Sequence, residues 1–190
     1  MDDNLGILWF RQDLRLKDNL ALNDLVKKCT KILPIYIFDT KEVLGGASKW
    51  WLNYSLESLN KSLNKKNSKL YFFKGSPEKI LDELIFKYNI KVIHWNRLYD
   101  KYSVQRDSNI KTNLQKKNIN IKSYNSSLIN EPWIIKNKSN SFFKVFTPYW
   151  NTSLERIRDI KLHQPPKNIK TLLINETKTI SIKDLELYPK

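Results

Sequence analysis

The sequence predicts an α/β fold: a Rossmann-like open five-stranded parallel sheet flanked by helices, followed by a linker region. Three observations carry this prediction. Short apolar runs rich in Ile, Val, Tyr and Phe alternate along residues 5–125 with longer stretches whose apolar residues recur at helical spacing. The short runs are continuously apolar, as expected of strands buried on both faces. After about residue 130 both rhythms stop.

The elements follow in order. "GILWF" opens the sheet and "NLALNDLVKKC" (19–29) returns as a helix. "ILPIYIF" is the second strand. The helix "SKWWLNYSLESLNKSLNKK" (48–66) follows it, with Ser48 as the expected N-cap. "LYFF" leads into "SPEKILDELIFKYN" (76–89), where Ser76 caps and Pro77 suits the first helical position. "VIHW", the helix "YSVQRDSNIKTNLQKKN" (102–118) and "INIKSY" complete the set. Right-handed crossovers place helices over both faces. The sheet domain is therefore assigned to residues 1–130.

Residues 131–190 are expected to be an inter-domain linker, loosely packed. They hold an aromatic ribbon around Phe142 to Phe146 and one helix from Pro148 to about Ile160. From about Pro165 the chain is expected to be loose or extended across the sheet domain. No repeat of fixed period is present.

Composition narrows the class. The 190 residues are 41% hydrophobic and 12% aromatic, too apolar for a disordered chain. The mean hydropathy of -0.55 and the lack of a long apolar run exclude a membrane class. The start "MDDN" places acids where a signal peptide carries a basic flank, so a cytoplasmic location is expected. The single cysteine, Cys29, has no partner for an internal disulfide and reads as a buried thiol. The net charge of +15 attracts anionic partners, nucleic acid first among them, while its spread along the chain is equally read as compositional drift that keeps the surface solvated.

No self-contained catalytic apparatus is legible, and no catalytic residue is assigned. The chain has four glycines, and only "LGGAS" pairs two, as a turn into the second helix. His94 and His163 stand in separate contexts with no Cys or carboxylate at ligand spacing, so no metal site is expected. No Gly-x-Ser-x-Gly elbow occurs. Charges instead collect at strand ends, in "RQDLRLKD" (11–18) after the first strand and "NRLYDKY" (96–102) after the fourth. In open α/β sheets ligands bind beyond the carboxyl ends of the strands, where the strand order reverses. The two turns are expected to border one crevice there. A structural ion-pair network, Asp13 with Arg15 for example, is the competing reading. Trp50 and Trp51 read as core or domain-packing residues, because aromatic pairs act chiefly through burial.

Four clusters in this order resemble the DNA photolyase/cryptochrome family. The opening is similar to "WFRxDLRxxDNxAL" at Trp9, Phe10, Arg11, Asp13, Leu14, Arg15, Asp18, Asn19, Ala21 and Leu22. "GGASKWWLNYSLESL" resembles "SRxWWLxxSLxxL" with Lys49 in the basic place, and "WNRLYDKYSVQRD" resembles "WNxxYEPxxxxRD". "KVFTPYW" looks like the inter-domain "xVFTPFW". The resemblance implies an N-terminal α/β domain that holds an antenna chromophore. It also implies a larger helical domain, absent after Lys190, that binds FAD and repairs pyrimidine dimers in DNA with light. The chain alone is therefore expected to be inactive, with FAD supplied only through a separate helical domain and DNA bound only by the complete protein.

Tyr102 and Ser103 stand where folate-using members carry an Asn-Glu pair, which implies a deazaflavin or flavin antenna rather than folate. By the same comparison Lys49 and Asp100 contact the polar part of the antenna, while Asn96 and Arg11 shape its pocket. The face that meets the helical domain, with Phe143, Val145, Phe146, Tyr149 and Trp150, is expected to be an exposed apolar patch open to self-association. Two rival functions remain: a cryptochrome-type photoreceptor or interaction module, and a basic nucleotide- or nucleic-acid-binding α/β protein. Scattered positive charge would favour the photolyase or cryptochrome reading, and a lysine stripe beside an aromatic groove the second rival.

Overall fold

A computed structural model describes residues 4–125, 127–157, 160–175 and 179–188. Five strands, β1 (Leu5–Phe10), β2 (Lys31–Phe38), β3 (Tyr71–Lys74), β4 (Val92–Asn96) and β5 (Asn120–Tyr124), form one sheet in the order β3-β2-β1-β4-β5. Every pairing is parallel, so the order reverses between β1 and β4. That is the open, doubly wound sheet the sequence predicts.

The period of two along each strand divides the core. Leu8, Phe10, Ile32, Tyr36 and Phe72 face one side, against α1 (Leu20–Lys28) and α2 (Gly46–Asn64) through Leu22, Leu25, Leu56 and Leu59. Ile7, Trp9, Ile35, Phe73 and Trp95 face the other, against α3 (Pro77–Tyr88) and α4 (Lys101–Gln115) through Leu81, Leu84, Ile110 and Leu114. Gly6 permits close approach of α1, since a Cβ there would lie 2.6 Å from Cys29 Sγ and 2.8 Å from Leu25 Cδ1. Cys29 is half-buried at the C-cap of α1 rather than fully inside, and burial pushes its thiol up to about 11.

Helix starts show local chemistry at work. Asn19 caps α1 by accepting from the Leu22 N–H at 3.0 Å, and Asp100 caps α4 by accepting from the Ser103 N–H at 2.9 Å. Ser76 occupies the N-cap position of α3 ahead of Pro77, but its side chain makes no capping hydrogen bond. Ser48 does not cap α2: the helix begins earlier, with Gly45 at the cap, which moves Ser48 inside the first turn. No helix among the described residues is long and apolar enough to cross a membrane.

Beyond β5 the described residues form one further α-helix, α5 (Phe146–Ile157), and a short 3-10 turn at Lys183–Leu185. The α-helix begins before Pro148, which sits in the first turn where a missing N–H leaves no bond unmade. The aromatic stretch 142–145 is a loop leading into that helix and not a ribbon of strand. The tail then returns across the sheet. Ile32 N–H donates to the Lys170 carbonyl at 2.9 Å and Leu172 N–H to the Ile32 carbonyl at 2.8 Å, in parallel register with β2. Farther on, Ile180 N–H donates to the Phe72 carbonyl at 3.0 Å on β3, covering part of an otherwise open edge. Ile169, Leu185 and Leu187 insert fully into the α1/α2 side of the core.

Candidate functional site

The turn after β1 is held by a network of buried polar side chains. Arg11 pairs with Asp107 of α4 at 2.5 Å and donates to the Asn96 backbone carbonyl at the end of β4. Asn96 in turn donates to Asp13 at 2.5 Å and to Asn19 at 2.9 Å. The charges after the first strand thus bolt β1 to β4 and α4 at the point where the strand order reverses. Asp13 is bound by the amides of Asn96 and Asn19 rather than by Arg15, whose guanidinium donates to the Asp18 carbonyl at 3.1 Å.

A second arginine extends the network toward β2. Arg106 lies 3.1 Å from Asp39, 2.7 Å from Glu42 and 3.2 Å from Asp107, and Tyr102 donates to Asp39 at 2.8 Å. Burial pulls the Arg106 guanidinium down, but Asp107, Glu42 and Asp39 outweigh it and leave it above its ordinary value. Arg11 goes the other way: burial holds it below its ordinary value despite Asp107. Burial and the Asp39 bond push the Tyr102 phenol up to about 12. Both guanidinium groups also lie over the Trp9 ring, Arg11 at 4.9 Å and Arg106 at 5.2 Å from its centroid.

Beside this network opens a crevice of about 970 Å³ between the carboxyl ends of β1 and β2 and the first turns of α2. Its walls are Trp9, Tyr36, Leu44, Trp51, Leu52 and Tyr54. Arg11, Arg15, Glu42 and Arg106 form its charged end, and Ser48, Ser55 and Ser58 add hydroxyls. The volume lies at the upper end of small-molecule sites, and aromatic walls with a few fixed polar groups suit a flat conjugated ligand.

Of the residues singled out from the sequence, Arg11 lines the crevice. Asn96 is buried in the network beneath it. Lys49 lies on the first turn of α2 next to the lining residue Ser48. Asp100 is exposed and spends its carboxylate on the α4 cap. Trp50 and Trp51 are not core residues: they are 44% and 69% exposed, and Trp51 forms part of the crevice wall. Its neighbours Leu52 and Tyr54, and the distant Arg106, escaped sequence reasoning. A Trp-Trp-x-x-Tyr run on a helix whose other face already supplies the core is the signal that could have found the first of these.

The apolar side chains expected at the surface are there: Val145, Phe146, Tyr149 and Trp150 are exposed, while Phe143 is partly covered and contacts Tyr149 edge-on at 6.3 Å. Behind them, Glu131 clamps the chain after β5 to the end of β4. It takes two bonds from Arg97, at 2.6 and 3.0 Å, and one from the Tyr99 hydroxyl at 2.7 Å.

The sequence model of the DNA photolyase family matches residues 6–169. The chain is 35% identical over 164 residues to a deoxyribodipyrimidine photo-lyase of Agrobacterium fabrum, covering 86% of this chain and 34% of that protein. It is 34% identical over 170 residues to cryptochrome-2 of Arabidopsis thaliana, covering 86% of this chain and 28% of that one. A bacterial class III photolyase from Agrobacterium tumefaciens superimposes with a TM-score of 0.90 at 31% identity, over 100% of this chain and 39% of the other. The chain spans about a third of the length of these relatives.

Proposed function

The chain belongs to the DNA photolyase family as its N-terminal α/β domain, and on that premise we propose that its crevice holds a deazaflavin- or flavin-class antenna for light-driven repair of pyrimidine dimers. A separate helical domain carries FAD and meets the damaged DNA. The observation that supports this reading is the aromatic crevice itself, open at one side and closed at the other by a rigid charged network. The bound group would absorb light and pass on its excitation. The chain's own side chains fix its pose: Trp51, Tyr54 and Tyr36 cover the ring faces and exclude water, while Arg11 and Arg106 meet the polar end and Lys49 adds positive charge from the neighbouring turn of α2. Asn96 and Asp100 act at one remove, the first by accepting from Arg11, the second by capping α4.

Titrating the purified chain with riboflavin, a 5-deazaflavin and a reduced folate tests the assignment. Saturable quenching of flavin and deazaflavin fluorescence is expected, weakened roughly tenfold by Trp51→Ala through lost aromatic burial. No saturable change with any of the three, or preference for the folate, overturns it. The 34% identity to a plant cryptochrome favours a second reading as a photoreceptor module. Dimer repair by the chain combined with a helical partner separates the two.

A further inference from the structure

In a parallel α/β sheet every strand begins, and every covering helix ends, at the same pole. Here that pole is opposite the crevice, and it is lined with lysine. Sheet register places Lys31 of β2 level with Leu5 of β1, and the Lys91 N–H donates to the Leu5 carbonyl at 3.1 Å, which puts Lys91 at that level on the other side. The bridge between Ile32 and Thr171 brings Lys170 of the tail level with Lys31. Lys170, Lys31 and Lys91 therefore form one row across three strand spacings, about 14 Å. All three are exposed.

The surroundings add charge of the same sign. Helix α1 ends in Lys27 and Lys28, and α2 runs out into Lys65 and Lys66. The Lys66 ammonium donates to the Lys167 carbonyl at 3.4 Å, which brings a further tail lysine to this end. Lys116 and Lys117 follow α4. Asp24 and Asp82 approach this end; Asp24 pairs with Lys28 at 2.8 Å and Lys122 at 3.9 Å, and Asp82 with Lys117 at 2.7 Å. Asp39, Glu42, Asp107 and Glu131 lie instead at the carboxyl end of the strands, each paired there with Arg11, Arg97 or Arg106. Compensation of helix dipoles accounts for lysines in the last helical turns. It does not account for Lys31, Lys91 and Lys170, which lie at strand starts and in the tail.

We propose that this pole is a docking surface for the phosphate backbone of duplex nucleic acid, read without regard to sequence. Over 14 Å a duplex carries about eight phosphate charges, matching a short row of ammonium groups backed by others. Lysines act there as point charges and not as forks, which suits backbone attraction rather than base recognition. The inference is independent of what the crevice holds.

The test is fluorescence anisotropy of a labelled mixed-sequence DNA duplex with the 190-residue chain, over a series of salt concentrations. The triple variant Lys31→Gln, Lys91→Gln, Lys170→Gln should reduce the slope of log affinity against log salt by about 2.7. The control Lys41→Gln, Lys101→Gln, Lys144→Gln, with equal loss of charge, should leave most of the slope in place. Equal losses from both variants, or binding to anionic phosphatidylserine vesicles with none to DNA, overturns the proposal. A readout that does not depend on the variants folding is amine acylation of the wild-type chain with and without DNA. Protection should fall on Lys31, Lys91 and Lys170. Protection confined to other lysines, or none, overturns it equally.

Discussion

Arg11 and Asp107 meet at 2.5 Å with both side chains almost wholly buried, one at the end of β1 and the other on the second turn of α4. The pair joins elements 96 residues apart in sequence and supports the floor of the crevice. Removing one partner strands the other charge in the interior. Asp107→Ala should therefore destabilise by about 3–5 kcal/mol. Urea unfolding checks this. The double variant Arg11→Met with Asp107→Leu should recover a large part of the loss, because it leaves no charge unpaired; a double variant as unstable as Asp107→Ala would contradict the account.

His94 supplies a pH dependence. Its side chain is wholly inaccessible on β4, with Nδ1 3.3 Å from the Ala21 carbonyl, which it meets as a donor in the neutral ring. Burial holds the imidazole below its ordinary value; Ala21 and Asp24 pull it up, and Lys28 and Lys122 push it down. The facing groups are Asp24 and Lys28 of α1 and Lys122 and Tyr124 of β5. A lowered folded value means the unfolded chain binds the proton more readily. The stability is complete above about pH 6.5, the unfolded value, and is lost as pH falls toward and through the folded one. Unfolding free energy should drop between pH 7 and 5 in the wild type and change less in His94→Gln. Parallel curves for the two proteins would show that His94 has no part in it.

The parallel sheet, its five strands and four of its covering helices were legible because each strand is a continuous apolar run and each helix a periodic one. The reversal of strand order was legible too, from where the charges fall. The tail was not. Ile169 and Leu187 reach the core from irregular chain and Leu185 from a short 3-10 turn, so neither a period of two nor of 3.6 marks them. The crevice wall was hidden for a related reason. Trp51 lies on an exposed stripe of α2, and only the three-dimensional placement of β1 and β2 beside it makes a wall. Arg106 lies far from β2 in sequence, and nothing local announces its bond to Asp39.

If the tail is part of the core, truncating one anchor should behave as a core substitution. Leu185→Ala, at a site only 1% exposed, should cost roughly 2–5 kcal/mol. Differential scanning calorimetry would register a single lowered transition. A change below about 0.5 kcal/mol, the range of ordinary surface substitutions, would mean that the tail merely rests on the sheet.

Glu131 gives the last test, of how the chain leaves the sheet. Its carboxylate is buried and takes two bonds from Arg97 and one from Tyr99, and Trp133 lies beside both, its ring tilted 39° to that of Tyr99. Burial and the Glu131 bond together push the Tyr99 phenol up to about 12. Replacing the carboxylate by an amide keeps the shape but removes the charge that two N–H groups and one hydroxyl converge on. Glu131→Gln should cost about 2 kcal/mol, the scale of a hydrogen bond to a charged group. The loss should be local, because β4 and β5 are held by their own ladder and by α4. Hydrogen exchange should quicken by about tenfold or more at Ile134, whose N–H donates to the Glu131 carbonyl at 2.9 Å, and stay unchanged at Ile93. Uniform acceleration across both positions would instead make the clamp a condition of the whole fold.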